Sequence, residues 1–119
     1  MIFGQGYDVG KIANAPWLSR VPVYYWGDID THGFAILDHL RSLVPHVRSV
    51  LMDHATLHAH EDQWGYESEQ VRRDLLHLTR GEKDVYDDLR DNRIRANLRL
   101  EQELTLFAGV LQVVQTLSP

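Results

Sequence analysis

The sequence predicts an α/β fold, a small parallel sheet flanked by helices, with a helical C-terminal half. Three stretches carry that expectation. Val21-Pro22-Val23-Tyr24-Tyr25-Trp26 is a run of β-branched and aromatic residues without polar alternation, the pattern of a strand buried on both faces. Phe34, Leu37, Leu40 and Val44 then recur on one stripe, with Ile36 and Leu43 beside it, which predicts a helix from about His32 to Val44 with one face on a sheet. Val47 to Met52 follows, apolar at Val50, Leu51 and Met52, and reads as a second strand. Strand, helix, strand in that order is a βαβ unit, whose two strands run parallel through a right-handed crossover.

The remaining elements follow from local signals. Gly4, Gly6 and Gly10 mark a loop, and Val9, Ile12 and Ala13 lie at nearly helical spacing within a short helix over Tyr7 to Ala15 that Pro16 ends. Gly27-Asp28-Ile29-Asp30 closes the first strand, Thr31 is placed to cap the helix, and Pro45 stops it. Ser68 to Thr79 and Glu82 to Asn92 read as two helices separated by Arg80-Gly81. Leu98 to Leu117 reads as a last helix, with Leu100, Leu104, Phe107, Val110, Leu111 and Val114 at helical intervals.

A chain of 119 residues has room for one domain, and an apolar content of 44% with 24% charged residues belongs to a globular protein. There is no cysteine, so disulfides, thiolate zinc sites and iron–sulfur clusters are excluded, and any metal must be held by oxygen or imidazole. No apolar run is long enough to span a bilayer and no basic start precedes a hydrophobic block, so a soluble, cytoplasmic protein without a membrane partner is expected. The formal charge of −5 argues against a module that grips nucleic acid alone. If DNA is the partner, something else must hold it.

The chemistry concentrates at Trp26-Gly27-Asp28-Ile29-Asp30-Thr31-His32-Gly33-Phe34. Asp28 and Asp30 stand at the end of the first predicted strand and Asp53 at the end of the second, the edge at which open α/β sheets place their ligands, so the three carboxylates are expected to converge. Two acids one residue apart after a buried strand suit Mg²⁺, which takes oxygen ligands at about 2.0–2.1 Å and usually shares them with a substrate phosphate. The alternative is structural, since Asp also opens turns and caps helices. Haloacid-dehalogenase-type phosphatases also carry Asp-x-Asp after a strand, but their pattern continues to a threonine where this sequence has His32. An aspartyl-phosphate at Asp28 stays an outside reading, and beryllium fluoride trapping would reveal it.

Four segments in order, Trp26-Gly-Asp-Ile-Asp-Thr-His-Gly-Phe-Ala-Ile-Leu37, Ser49-Val-Leu-Met-Asp53, Thr56-Leu57 and Arg99-Leu-Glu-Gln-Glu103, closely resemble the C-terminal Toprim-like domain of the JetD family, the nuclease subunits of Wadjet plasmid-defence systems. The resemblance covers nearly the whole chain. It implies a single Toprim-like domain over residues 1–119, similar to the Toprim domains of type II topoisomerases, in which a glutamate on an early strand and an Asp-x-Asp on a later one bind Mg²⁺ at a DNA phosphodiester. Asp28 and Asp30 match the Asp-x-Asp. The implied activity is metal-dependent DNA cleavage with Mg²⁺ or Mn²⁺, and the implied partners are DNA, condensin-like motor subunits and a second copy of the chain.

The match lacks one part. The first glutamate of this chain is Glu61, so nothing upstream of Asp28 fills the glutamate position. The expectation is a C-terminal piece of a longer protein whose preceding part holds that glutamate and a DNA-binding region, the piece alone being inactive. Glu103 is a candidate second-metal ligand; Glu101 would point about 200° away from it on a helix, so at most one of them faces the site. Arg99 is a candidate phosphate contact, Asp53 a cleft residue and metal ligand, and His32 a phosphate contact or proton donor. His54 and His58 could share a helix face and bind zinc, without the glutamate of a metalloprotease motif. The rival from another class is a non-catalytic docking module, its acid pair only stabilising a turn. Asp28→Asn and Asp30→Asn are both expected to remove cleavage and spare the fold.

Overall fold

The computed structural model describes residues 2–4 and 16–102, and its sheet grows from the predicted βαβ unit. Tyr24–Tyr25 (β2), Thr31–Leu43 (α1) and Arg48–Ser49 (β3) are its parts, and Ile2–Phe3 (β1) adds a strand on the other side of β2. The order is β1-β2-β3, all parallel, with Ile2 opposite Tyr24, Tyr24 opposite Arg48 and Tyr25 opposite Ser49. Beyond the formal strands the ladder continues through Trp26 N to Phe3 O at 2.8 Å, Arg48 N to Val23 O at 3.0 Å and Val50 N to Tyr25 O at 2.8 Å. The paired cores are shorter than the predicted runs Val21–Trp26 and Val47–Met52. Pro22 has no amide hydrogen to donate, and Leu51 leaves the sheet at φ 54°.

The predicted stripe is the buried one. Phe34, Leu37 and Leu40 of α1 join Phe3, Val23 and Tyr25 of the sheet and Val85, Tyr86 and Leu89 of a later helix, Arg80–Arg90 (α3), in one core. Phe34 and Tyr86 meet with ring centroids 6.3 Å apart, close enough for a tilted aromatic pair. The expected cap moves by one residue: Asp30, in extended geometry, is the N-cap of α1 and Thr31 is its first helical residue. The helix expected over Tyr7–Ala15 lies outside the described residues.

Among the described residues the second half is less helical than its sequence predicts. Ser68 to Thr79 forms no helix, because its polar backbone groups are taken by side chains from elsewhere. Val71 N donates to Thr31 Oγ1 at 2.8 Å, His77 N to Asp38 Oδ1 at 2.6 Å, and Tyr86 Oη to Arg73 O at 2.6 Å. Thr79 then caps α3 in a reciprocal capping box with Glu82. Leu98–Arg99 (β5), where a last helix was expected to begin, instead pairs antiparallel with Gly65–Tyr66 (β4), and the rest of that expected helix, from position 103 to 117, lies outside the described residues. Between β3 and β4 lies a short helix, His54–Ala59 (α2). Among the described residues no helix is long and apolar enough to cross a membrane.

Candidate functional site

The turn that leaves β2 and enters α1 is held from three sides. Asp30 Oδ1 accepts from Gly33 N at 2.6 Å, closing the first turn of α1. A Cβ at position 33 would collide with the Asp28 carbonyl oxygen, so only glycine lets the turn close this tightly. Ile29 and Leu100 exchange two backbone hydrogen bonds, at 2.9 and 3.1 Å, which stitch the turn to the chain after β5. Two further contacts follow from that stitch. Arg99 Nε donates to Asp30 Oδ2 at 2.7 Å, and Gln102 N to Asp28 Oδ1 at 2.7 Å.

The two acids therefore differ in environment. Asp28 is partly exposed and hydrogen-bonded at Oδ1, whereas Asp30 is wholly buried with both oxygens engaged. Burial pushes the Asp30 carboxyl up, the Gly33 amide and Arg99 pull against it, and the charges of Glu67 and Asp28 add to the rise. Burial works against the Arg99 guanidinium too, but its bond to Asp30 and the surrounding negative charge hold it above its ordinary value.

A second buried carboxylate stands at the same helix end, and sequence reasoning missed it. Glu67 is 1% exposed. Its Oε1 accepts from Thr31 N at 3.2 Å and Thr31 Oγ1 at 2.6 Å, and its Oε2 from His32 N at 3.2 Å with His32 Nδ1 at 2.6 Å. The small β4–β5 sheet delivers it: Glu67 N donates to Asn97 O at 2.8 Å, and Asn97, left-handed at φ 54°, returns its Nδ2 to Glu67 O at 2.7 Å. No local pattern around Tyr66-Glu67-Ser68 marks this acid, because its partners are 35 and 36 residues away.

The other expected ligands are placed elsewhere. Asp53 caps α2, accepting at Oδ1 from Thr56 N at 2.8 Å and Thr56 Oγ1 at 2.7 Å. It also lines an open cavity of about 390 Å³ with Ser49, Met52, His54 and Glu82, but neither Asp28 nor Asp30 borders that space. Glu103 lies outside the described residues. Among the described residues no three His, Asp or Glu side chains are grouped to hold one metal ion, so the expected convergence of Asp28, Asp30 and Asp53 is not found there. His54 and His58 do share a face of α2, their rings stacked at 6.3 Å, but each turns to a different acid: His54 Nε2 to Asp88 at 2.8 Å and His58 Nδ1 to Glu61 at 3.0 Å.

None of the curated proteins compared with this chain matches it. The model of one protein family, described as Wadjet protein JetD, C-terminal, matches residues 1–113 and so spans the sheet, the acid turn and the Glu67 cluster. This chain belongs to the family of the C-terminal region of the Wadjet protein JetD.

Proposed function

We propose that this chain supplies the Asp-x-Asp half of a Toprim-type centre that cleaves DNA in Wadjet plasmid defence, using Mg²⁺ or Mn²⁺. The observation that carries the reading is the position of Asp28 and Asp30, in a JetD-family chain, in the turn between a parallel strand and the helix that follows it. The donor chemistry fits such an ion. Asp28 is partly exposed and is the more accessible ligand, while Asp30, whose oxygens accept from Gly33 N and Arg99 Nε, would share its carboxylate between the ion and those donors. Bound there, the metal would neutralise charge developing on the phosphate and lower the pKa of an attacking water. The chain's own residues fix the frame: Gly33 and Ile29 hold the turn, and Arg99 keeps Asp30 from shifting. On this reading the remaining glutamate comes from an earlier strand, DNA is gripped by other parts of the protein, and condensin-like motor subunits and a second copy are its partners.

The second reading, a non-catalytic docking module, draws on a specific observation: both oxygens of Asp30 and of Glu67 are already engaged within the domain. Plasmid cleavage separates the two. The full-length protein carrying this domain is incubated with closed circular DNA and Mg²⁺ or Mn²⁺, as wild type and as Asp28→Asn. Cleavage by wild type alone is expected; folded, metal-free and inactive proteins in both cases would favour docking.

A further inference from the structure

We infer that Glu101 is a further carboxylate for the ion at the acid turn, standing across from Asp28 on the face that also carries Asp30 and Arg99. This deepens the nuclease reading above and rests on it. The placement follows from register. Ile29 and Leu100 form an antiparallel bridge, and one step out from it Asp30 faces Arg99 on one side while Asp28 faces Glu101 on the other. Both flanks are fixed by contacts: Arg99 Nε reaches Asp30 Oδ2 at 2.7 Å, and Gln102 N reaches Asp28 Oδ1 at 2.7 Å. Ile29 and Leu100 are wholly buried in the core, so their neighbours along extended chain turn to the opposite face, which Asp28, Asp30, Arg99 and Glu101 therefore share. A helix would have set Glu101 against Glu103, but the chain is extended through Leu98–Arg99 and on to the bridge at Leu100.

The two outer acids are short of partners. Directly opposite residues of an antiparallel pair bring their Cβ atoms to about 4.5–5.5 Å, and like charges so placed repel. Asp28 accepts one hydrogen bond, at Oδ1, and Glu101 is exposed with neither carboxylate oxygen hydrogen-bonded or ion-paired among the described residues. Asp30 is different, since it is buried and already shared between Gly33 N and Arg99 Nε. The oxygens without a donor at this turn are therefore those of Asp28 and Glu101. Mg²⁺ is ordinarily held by one or two carboxylates, the rest of its shell being water and substrate phosphate, so such a pair is a full protein share. The acids are not already grouped around one point, so the Glu101 side chain must turn toward Asp28 as an ion arrives, and its exposure leaves it free to do so.

The test measures Mn²⁺ binding by the full-length protein, read from the loss of the free-ion signal in electron paramagnetic resonance, for wild type, Asp28→Asn, Glu101→Gln and Asp84→Asn. Asp84 is an exposed acid of α3, an element that takes no part in the acid turn, so its variant removes the same charge elsewhere. Glu101→Gln is expected to weaken Mn²⁺ binding by about tenfold or more, with the urea midpoint unchanged. Asp84→Asn is expected to leave the affinity within about twofold, because a distant exposed charge is screened. Wild-type affinity in Glu101→Gln, or an equal loss in Asp84→Asn, would overturn the inference; the nuclease reading would stand as long as Asp28→Asn loses the ion. A weakened affinity that comes with a lowered urea midpoint would also overturn it, by assigning Glu101 to the fold. No Mn²⁺ uptake by wild type, or uptake untouched by Asp28→Asn, would overturn the nuclease reading and the inference with it.

Discussion

Asp28 and Asp30 are equivalent in the sequence pattern, yet their substitutions have different costs. An amide at position 30 offers one oxygen and one NH₂ where the carboxylate offers two acceptors, so whichever way it turns, a donor faces either Gly33 N or Arg99 Nε. Asp30→Asn should therefore lose about 1–3 kcal/mol of stability, read as a lower urea midpoint at unchanged slope. Asp28→Asn keeps an acceptor for Gln102 N at a partly exposed position and should stay within about 0.5 kcal/mol of wild type. Asp28→Asn is thus expected to spare the fold and Asp30→Asn to weaken it. The acid pair itself was legible in the sequence, because it follows a recognisable strand. That Asp30 is wholly buried and paired was not, because its partner Arg99 is 69 positions away.

Two helices are joined by a side-chain clamp whose strength depends on pH. Arg41 of α1 forms an ion pair with Glu82 of α3 through two nitrogens and also donates to Val47 O and His77 O. Burial alone would raise the Glu82 carboxyl, but the Arg41 and Ser49 side chains and the Thr79 amide outweigh it and hold it below its ordinary value. An acid lowered in the folded state stabilises fully above its unfolded pKa, and loses that contribution as pH falls through the folded one. Glu82→Gln should cost about 3–5 kcal/mol at neutral pH, since it leaves Arg41 largely buried without its counter-ion. The gap to wild type should narrow in urea titrations carried below the ordinary carboxylate range, and a constant gap would assign the loss to shape alone. At this scale the βαβ unit was legible because each part declares itself within a dozen residues. The stretch from Ser68 to Thr79 was not, because its amides are satisfied by Thr31 and Asp38, 40 and 39 residues upstream.

Across the whole molecule, charge and connectivity set what the chain can do unaided. A net charge of −5 gives little to neutralise phosphates with, and the acid turn adds Asp28 and Glu67 to the charge of Asp30. The 119-residue chain alone should leave a labelled DNA duplex unshifted in a native gel at physiological salt, and a retarded band that disappears as salt rises would show a cationic face that the sequence does not declare. The α/β class was legible because continuous apolar runs and a helical stripe announce it; the small β4–β5 sheet was not, since Gly65–Tyr66 and Leu98–Arg99 stand in no such run. That small sheet hands the chain on to Leu100 and Gln102, whose bonds run to Ile29 and to the Asp28 side chain. Asp28 is thereby tied to a residue 74 positions away, so the placing of its carboxylate depends on the β4–β5 strands as well as on β2. The acid turn is thus a junction between two sheets, and a change that loosens either the parallel sheet or the β4–β5 pair would disturb the carboxylates.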